Sequence, residues 1–407
     1  MDNHGIARGP RTARTQEQRT KDLAKIDKYR QLDDQIRAAS RLQSYPDPAL
    51  FDLTSKLLRL NPEYYTTWNV RRRCLTSGFL SKPSPASLPS SLPTGTTTSS
   101  SETCSPSSSS AGAIPPSPDS RMIGQSVTIP DDHDEDNNQK NDANILKSEL
   151  AFTIPLLLEF PKCYWIWKYR KWLLEEAILR LPRALASEIW QGELALDSKM
   201  LVKDSRNFHA WGYRRYLVAR LESPDLLHKS LAEEEFTYTT KMIKANLSNF
   251  SAWHNRSRLM HRVLDERGAD DKARAAFLDD EFAAIQNALN CGPEDQSLWY
   301  YDRFLISQVV GEEGKPTITP NLTNEEKIKY LEDEIEFIKD LLEDYPDIKW
   351  PYEALIDYAL ALGGLSPESK AERDGHLRSW LATLRKLDPM LSGRWNDFEQ
   401  QLNSSNK

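Results

Sequence analysis

Along most of the chain, apolar residues recur every three or four positions, the spacing that gathers them on one face of an α-helix. Leu150, Ile154, Leu157 and Leu158 follow this spacing. After Pro161 the chain runs Tyr164-Trp-Ile-Trp-Lys-Tyr-Arg-Lys-Trp-Leu-Leu-Glu, with Trp167, Arg170 and Lys171 at i, i+3 and i+4 on a shared face. No stretch alternates convincingly with period two, so the pattern predicts helices and few strands. Asn61-Pro62, Pro161 and Pro293 mark short polar turns between paired helices.

The helix pairs repeat. Tryptophans anchor the pattern at Trp68, Trp167, Trp211, Trp253, Trp299 and Trp350, and the gaps after Trp167 are 44, 42, 46 and 51 residues. An aromatic stands three before the Trp at Tyr65, Tyr164, Phe208 and Phe250, and an arginine three after it at Arg71, Arg170, Arg214 and Arg256. Asn207 and Asn249 stand four before. In the fifth copy the arginine slips to Arg303 and Gln296 replaces the aromatic; in the sixth only Trp350 and its surroundings survive. One hairpin cannot bury its apolar face alone, whereas stacked neighbours can. The predicted fold is therefore all-α, an α-α superhelix: a crescent solenoid of helical hairpins. The tryptophans are expected in its core. The arginines are expected to fold over an aromatic ring or tie a turn to the next repeat.

One segment breaks the pattern. Residues 81–130 hold 31 Ser, Thr or Pro among 50, followed by an acidic run from Asp131 to Asp136. Such a stretch buries too little apolar surface to offset its chain entropy, so 81–142 reads as a disordered insertion. Removing it brings the first Trp gap, 99 residues, close to the others. The rest divides into a flexible basic arm (1–22), a first repeat region (23–80), repeats two to six (143–363) and C-terminal capping helices (364–407).

Composition narrows the function. The net charge is −7, of which the insertion supplies −5, leaving no basic excess for a nucleic-acid binder. The longest apolar run, Leu150 to Phe160, is too short for a membrane span and contains Pro155. The N-terminus carries Arg8, Arg11, Arg14 and Arg19 without an apolar core, so no secretory signal is read there. Cys74, Cys104, Cys163 and Cys291 lie far apart, and neither they nor the seven histidines form a metal-ligand pattern. A reducing, cytoplasmic setting is expected. There is no GxSxG, P-loop or HExxH motif.

The recurring Asn-x-x-x-Trp-x-x-Arg motif resembles the repeat of protein prenyltransferase α subunits, over roughly 47–80 and 143–362. Tetratricopeptide repeats, at about 34 residues, fit less well. Within the family, Arg206-Asn-Phe-His209, Asn246-Leu-Ser-Asn-Phe-Ser-Ala-Trp253-His-Asn-Arg256, Asp295-Gln-Ser-Leu-Trp299 and Lys349-Trp350-Pro351 resemble the Rab (type II) geranylgeranyltransferase α subunit, in its shorter fungal form. His4-Gly5 is similar too. Phe208 departs from the farnesyl-type pattern, which has Tyr there.

The resemblance implies an α subunit that works only with a β subunit. That partner would hold the zinc and most of the lipid pocket. Geranylgeranyl diphosphate, Rab GTPases and a Rab escort protein would be the other partners. Lys162 would stand near the diphosphate, with Tyr164 and His209 as further catalytic candidates. Arg206, in the Lys162 register, is a substrate-binding candidate, and no metal is assigned to this chain. His4 would reach a partner's metal only if the arm folded back. The alternatives are the α subunit shared by farnesyl- and type I geranylgeranyltransferases, and a non-catalytic helical scaffold. A scaffold would need the Trp–Arg core but neither Lys162 nor His209.

Overall fold

A computed structural model describes residues 15–43, 45–83, 132–311, 314–366 and 370–404. His4, Cys104 and most of the insertion lie outside these. The described residues form fifteen α-helices and no strand. Two compact units divide the chain, residues 1–193 and 194–407.

In the first unit, α1 (Gln16–Arg41) packs on α2 (Pro48–Leu60), which pairs with α3 (Tyr65–Cys74). Leu32, Ile36, Leu50, Leu57, Val70 and Cys74 form their common core. Helix α4 (Asp132–Glu159) pairs with α5 (Tyr164–Arg180), and α6 (Arg183–Lys203) follows, running on into the second unit. There α7 (Phe208–Leu221) precedes the hairpins α8 (Ala232–Ala245) with α9 (Phe250–Glu266), α10 (Asp271–Cys291) with α11 (Gln296–Val310), and α12 (Asn324–Asp344) with α13 (Lys349–Leu365). Helices α14 (Lys370–Leu387) and α15 (Ser392–Ser404) close the end. Leu377, Leu381, Leu384 and Trp395 pack there on Ile356 and Ala359 of α13.

Two helices start earlier than the composition suggests. Helix α1 begins at Gln16, inside the stretch expected to be a flexible arm. A capping box starts it: the Thr15 side chain accepts from the Gln18 amide, and the Gln18 side chain accepts from the Thr15 amide. Likewise 132–142, expected to be disordered, open α4. Asp136 pairs with Lys140 one turn on, the i, i+4 contact that supports an isolated helix start. Asp142 is buried and accepts hydrogen bonds from the Ser81 amide and hydroxyl, while Arg180 donates to the Ser81 carbonyl at 3.0 Å. Ser81 is thus tied to both α4 and α5.

Candidate functional site

The repeat anchors come first, because they position everything else. Trp68, Trp167, Trp211, Trp253 and Trp299 are all buried. Each indole N–H donates to the carbonyl six residues earlier, at 2.7–2.9 Å: Pro62, Pro161, Ser205, Leu247 and Pro293. Each Trp thereby closes the turn of its own hairpin. Asn207 and Asn249 cap α7 and α9 through their side-chain oxygens. In the sixth copy it is the Tyr352 hydroxyl that bonds to the carbonyl six before, Pro346, at 3.0 Å. Tyr352, not Trp350, occupies the anchor register there. Trp350 instead packs against Tyr300, with Lys349 over its ring.

The arginines cross to the next repeat. Arg71, Arg170 and Arg214 are buried, and Arg256 nearly so. Arg71 forms a bidentate pair with Glu149, donating from Nε at 2.6 Å and Nη2 at 2.7 Å, and donates back to Thr54 and Ser55 of its own hairpin. Arg170 pairs likewise with Glu193, Arg214 with Glu235 and Arg256 with Glu281. Arg71 stacks over Phe51, Arg214 over Tyr238 and Arg256 over Phe236. Tyr169 and Tyr301, two residues after their Trp, donate to Glu149 and Glu281. Buried ions need such saturation, since removing them from water costs several kcal/mol each. Each glutamate stands eighteen residues before the Trp of its own repeat, a signal present in the sequence that the Trp-centred reading missed.

The fifth joint differs. The register that holds arginine elsewhere holds Asp302, while Glu334 keeps the glutamate register, eighteen before Tyr352. Asp302 and Glu334 are buried; Tyr358 donates to Asp302 and Gln286 to Glu334. Burial, and for Glu334 the neighbouring Asp302 charge, push both carboxyls above the ordinary range. Arg303 lies outside this pair and instead meets Asp357 at 2.8 Å.

Lys162 sits in the turn before α5, exposed, with no hydrogen-bond or ion-pair partner among the described residues. Tyr164 opens α5, is half exposed, and meets Trp165 edge to face at 5.2 Å. Cys163, between them, is buried; burial pushes its thiol up to about 11, and it donates to the Pro62 carbonyl. It is a thiol holding one turn to the next, not a nucleophile. Lys162 and Tyr164 thus share one helix start.

Arg206 and His209 share the start of α7 in the second unit. His209 is half-buried, its ring 4.0 Å from that of Phe208. Arg206 does not point free into a groove: its guanidinium donates to the Ser248 carbonyl at 2.8 Å. Together with Ser248 on Asp295, it links successive turns. Among the described residues no three or more of His, Cys, Asp or Glu group to hold a metal, and no helix is long and apolar enough to cross a membrane.

These hairpins match known proteins. A family model described as the protein prenyltransferase alpha subunit repeat matches residues 48–78, 146–177, 190–221 and 232–263. Geranylgeranyl transferase type-2 subunit alpha of Schizosaccharomyces pombe is 31% identical over 414 residues, covering 99% of this chain and 100% of that protein. The protein of the same description from Saccharomyces cerevisiae is 29% identical over 402 residues, covering 98% and 99%. Among solved structures, Candida albicans protein geranylgeranyltransferase-I complexed with GGPP matches with a TM-score of 0.55 and 17% identity, over 92% of this chain and 91% of the matched one. That last likeness is one of fold.

Proposed function

From a chain that belongs to the geranylgeranyl transferase type-2 α-subunit family, we propose the α half of a heterodimer that transfers geranylgeranyl from geranylgeranyl diphosphate to C-terminal cysteines of Rab-type GTPases. A β subunit completes the enzyme, and an escort protein presents the GTPase. The zinc belongs to the β subunit and, when bound, makes the acceptor cysteine a thiolate.

The observation that carries the reading is Lys162, an exposed and unpaired ammonium at the start of α5 in a chain alignable end to end with type-2 α subunits. As the bond between C1 of the lipid and the diphosphate lengthens, negative charge grows on the departing oxygens. A cation already in place there stabilises the transition state more than the ground state. Lysine suits this as a compact point charge, and the N-terminal end of α5 adds positive potential. Tyr164, on the first residue of the same helix, can donate a hydrogen bond to the diphosphate. His209 lines the path of the acceptor peptide. Arg206, occupied by Ser248, holds the turns in order and acts on substrate only through them.

The test is transfer of labelled geranylgeranyl to a Rab-type GTPase, with escort protein, by the co-produced α and β chains. Turnover is expected from the pair and not from this chain alone. Lys162→Ala is expected to pair normally and to lose about 10²–10³ in rate. Wild-type turnover by that variant at matched complex levels would remove Lys162 from the mechanism. Failure of the unmodified chain to pair with a β subunit would sink the whole reading.

A further inference from the structure

In the second unit Arg215 and Arg258 have no ion-pair partner among the described residues, and the His254 ring lies with them. Arg215 projects from α7, and His254 and Arg258 from α9, all exposed. The guanidinium charges are felt by their neighbours: burial and the two guanidinium charges hold the His254 imidazole below its usual value, which keeps it neutral at pH 7, and burial with the Arg258 charge lowers Arg215. Among the described residues no carboxylate pairs with any of the three. Their neighbours differ. Arg214, Arg256 and Arg262 each have a glutamate.

Beside them, between α9 and α11, lies a cavity of about 270 Å³ whose lining includes Phe250, Trp253, His254, Ser257, Tyr300 and Phe304. Phe250 and Tyr300 are close to half exposed. His254 stacks parallel to Phe250 with ring centroids 6.1 Å apart, so it joins the two arginines to the aromatic wall. Clustered like charges next to uncovered aromatic surface disfavour the isolated chain and favour whatever neutralises and covers both.

We propose that Arg215, His254 and Arg258, with the aromatic cavity beside them, receive an acidic side chain and a flanking apolar side chain from the β subunit. This rests on the heterodimer of the proposed function. Charge complementarity selects a carboxylate-bearing partner, and the aromatic wall selects a protein segment over a free anion. Phe208 and Phe250, at the starts of α7 and α9, hold the register that Tyr164 holds next to Lys162. Arg215 lies on α7, the helix whose first turn carries His209, one of the residues proposed to act on substrate.

The experiment compares the full-length chain with a variant carrying Arg215→Gln, His254→Gln and Arg258→Gln, measuring affinity for the β subunit at several salt concentrations and the Tm of each chain alone. The variant is expected to bind at least about tenfold more weakly at low salt, with a shallower salt dependence. Its own Tm should be unchanged or higher, because repulsion has been removed. Equal affinity and salt dependence in the two chains would overturn the inference while leaving the heterodimer standing. A lowered Tm of the variant alone would overturn it too, since the three side chains would then hold the fold. So would saturable binding of inorganic pyrophosphate to the unmodified chain that the variant loses, which would mark a phosphate site. Failure of the unmodified chain to bind the β subunit would remove the proposed function and this inference together.

Discussion

Trp253 fills space and closes a turn at once. Its ring packs on Tyr301 with centroids 4.4 Å apart, and its N–H satisfies the Leu247 carbonyl at 2.8 Å. Trp253→Phe keeps most of the apolar bulk and removes the donor. The expected cost is about 1–3 kcal/mol, read from the urea midpoint at unchanged m-value. Arg214→Ala is the harsher change, because it leaves Glu235 buried without its partner; about 3–5 kcal/mol is expected. Replacing both, Arg214→Met with Glu235→Leu, should cost much less than the single change, since no charge is then stranded. A double variant as unstable as Arg214→Ala would show that packing, not charge, governs the joint. Tryptophan and arginine were legible here because they are uncommon letters at a fixed offset. Their glutamate partners were not, since glutamate is frequent and Glu149 lies 78 residues from Arg71 across the insertion.

At the level of elements, each joint between hairpins is one buried ion pair, except the fifth. There Asp302 faces Glu334, with Tyr358 and Gln286 bonded to them and Arg303 the nearby cation. Both carboxyls are raised, so the folded state holds protons that the unfolded chain releases. Their contribution is fully present below the ordinary carboxylate range, about pH 4, and is lost as the pH rises through the raised values. Glu334→Gln keeps the shape without the titration. Its Tm is therefore expected to fall less than the unmodified chain's between pH 6 and pH 9; identical slopes would show that the pair does not govern alkaline stability. The sequence showed that arginine had slipped at this copy, but Trp350 drew the anchor away from Tyr352 and hid the Asp–Glu register. The start of α1 was legible in principle as Thr15-x-x-Gln18, and a run of basic residues masked it.

Across the whole chain, a repeat array gains stability mainly from each hairpin's contacts with its neighbours. Opening the Asp302–Glu334 joint at high pH should therefore expose α12 to α15 first. Hydrogen exchange at pH 9 is expected to show their amides losing protection while those of α8 and α9 keep it; simultaneous loss in all would contradict independent joints. The sequence by itself determined the all-helical class, the period, the turn anchors and the family, because neighbouring residues carry the spacing that makes one face of a helix apolar. The family resemblance, not the spacing, marked Lys162 and His209 as candidates. Only the tertiary structure decided which glutamate each arginine meets, that Arg206 is bonded to a neighbouring turn, and that Arg215 and Arg258 stand by His254 with no carboxylate partner among the described residues. Those outcomes depend on which distant segments come to share space removed from water, where one charge fixes what the next must be, and no local spacing records that.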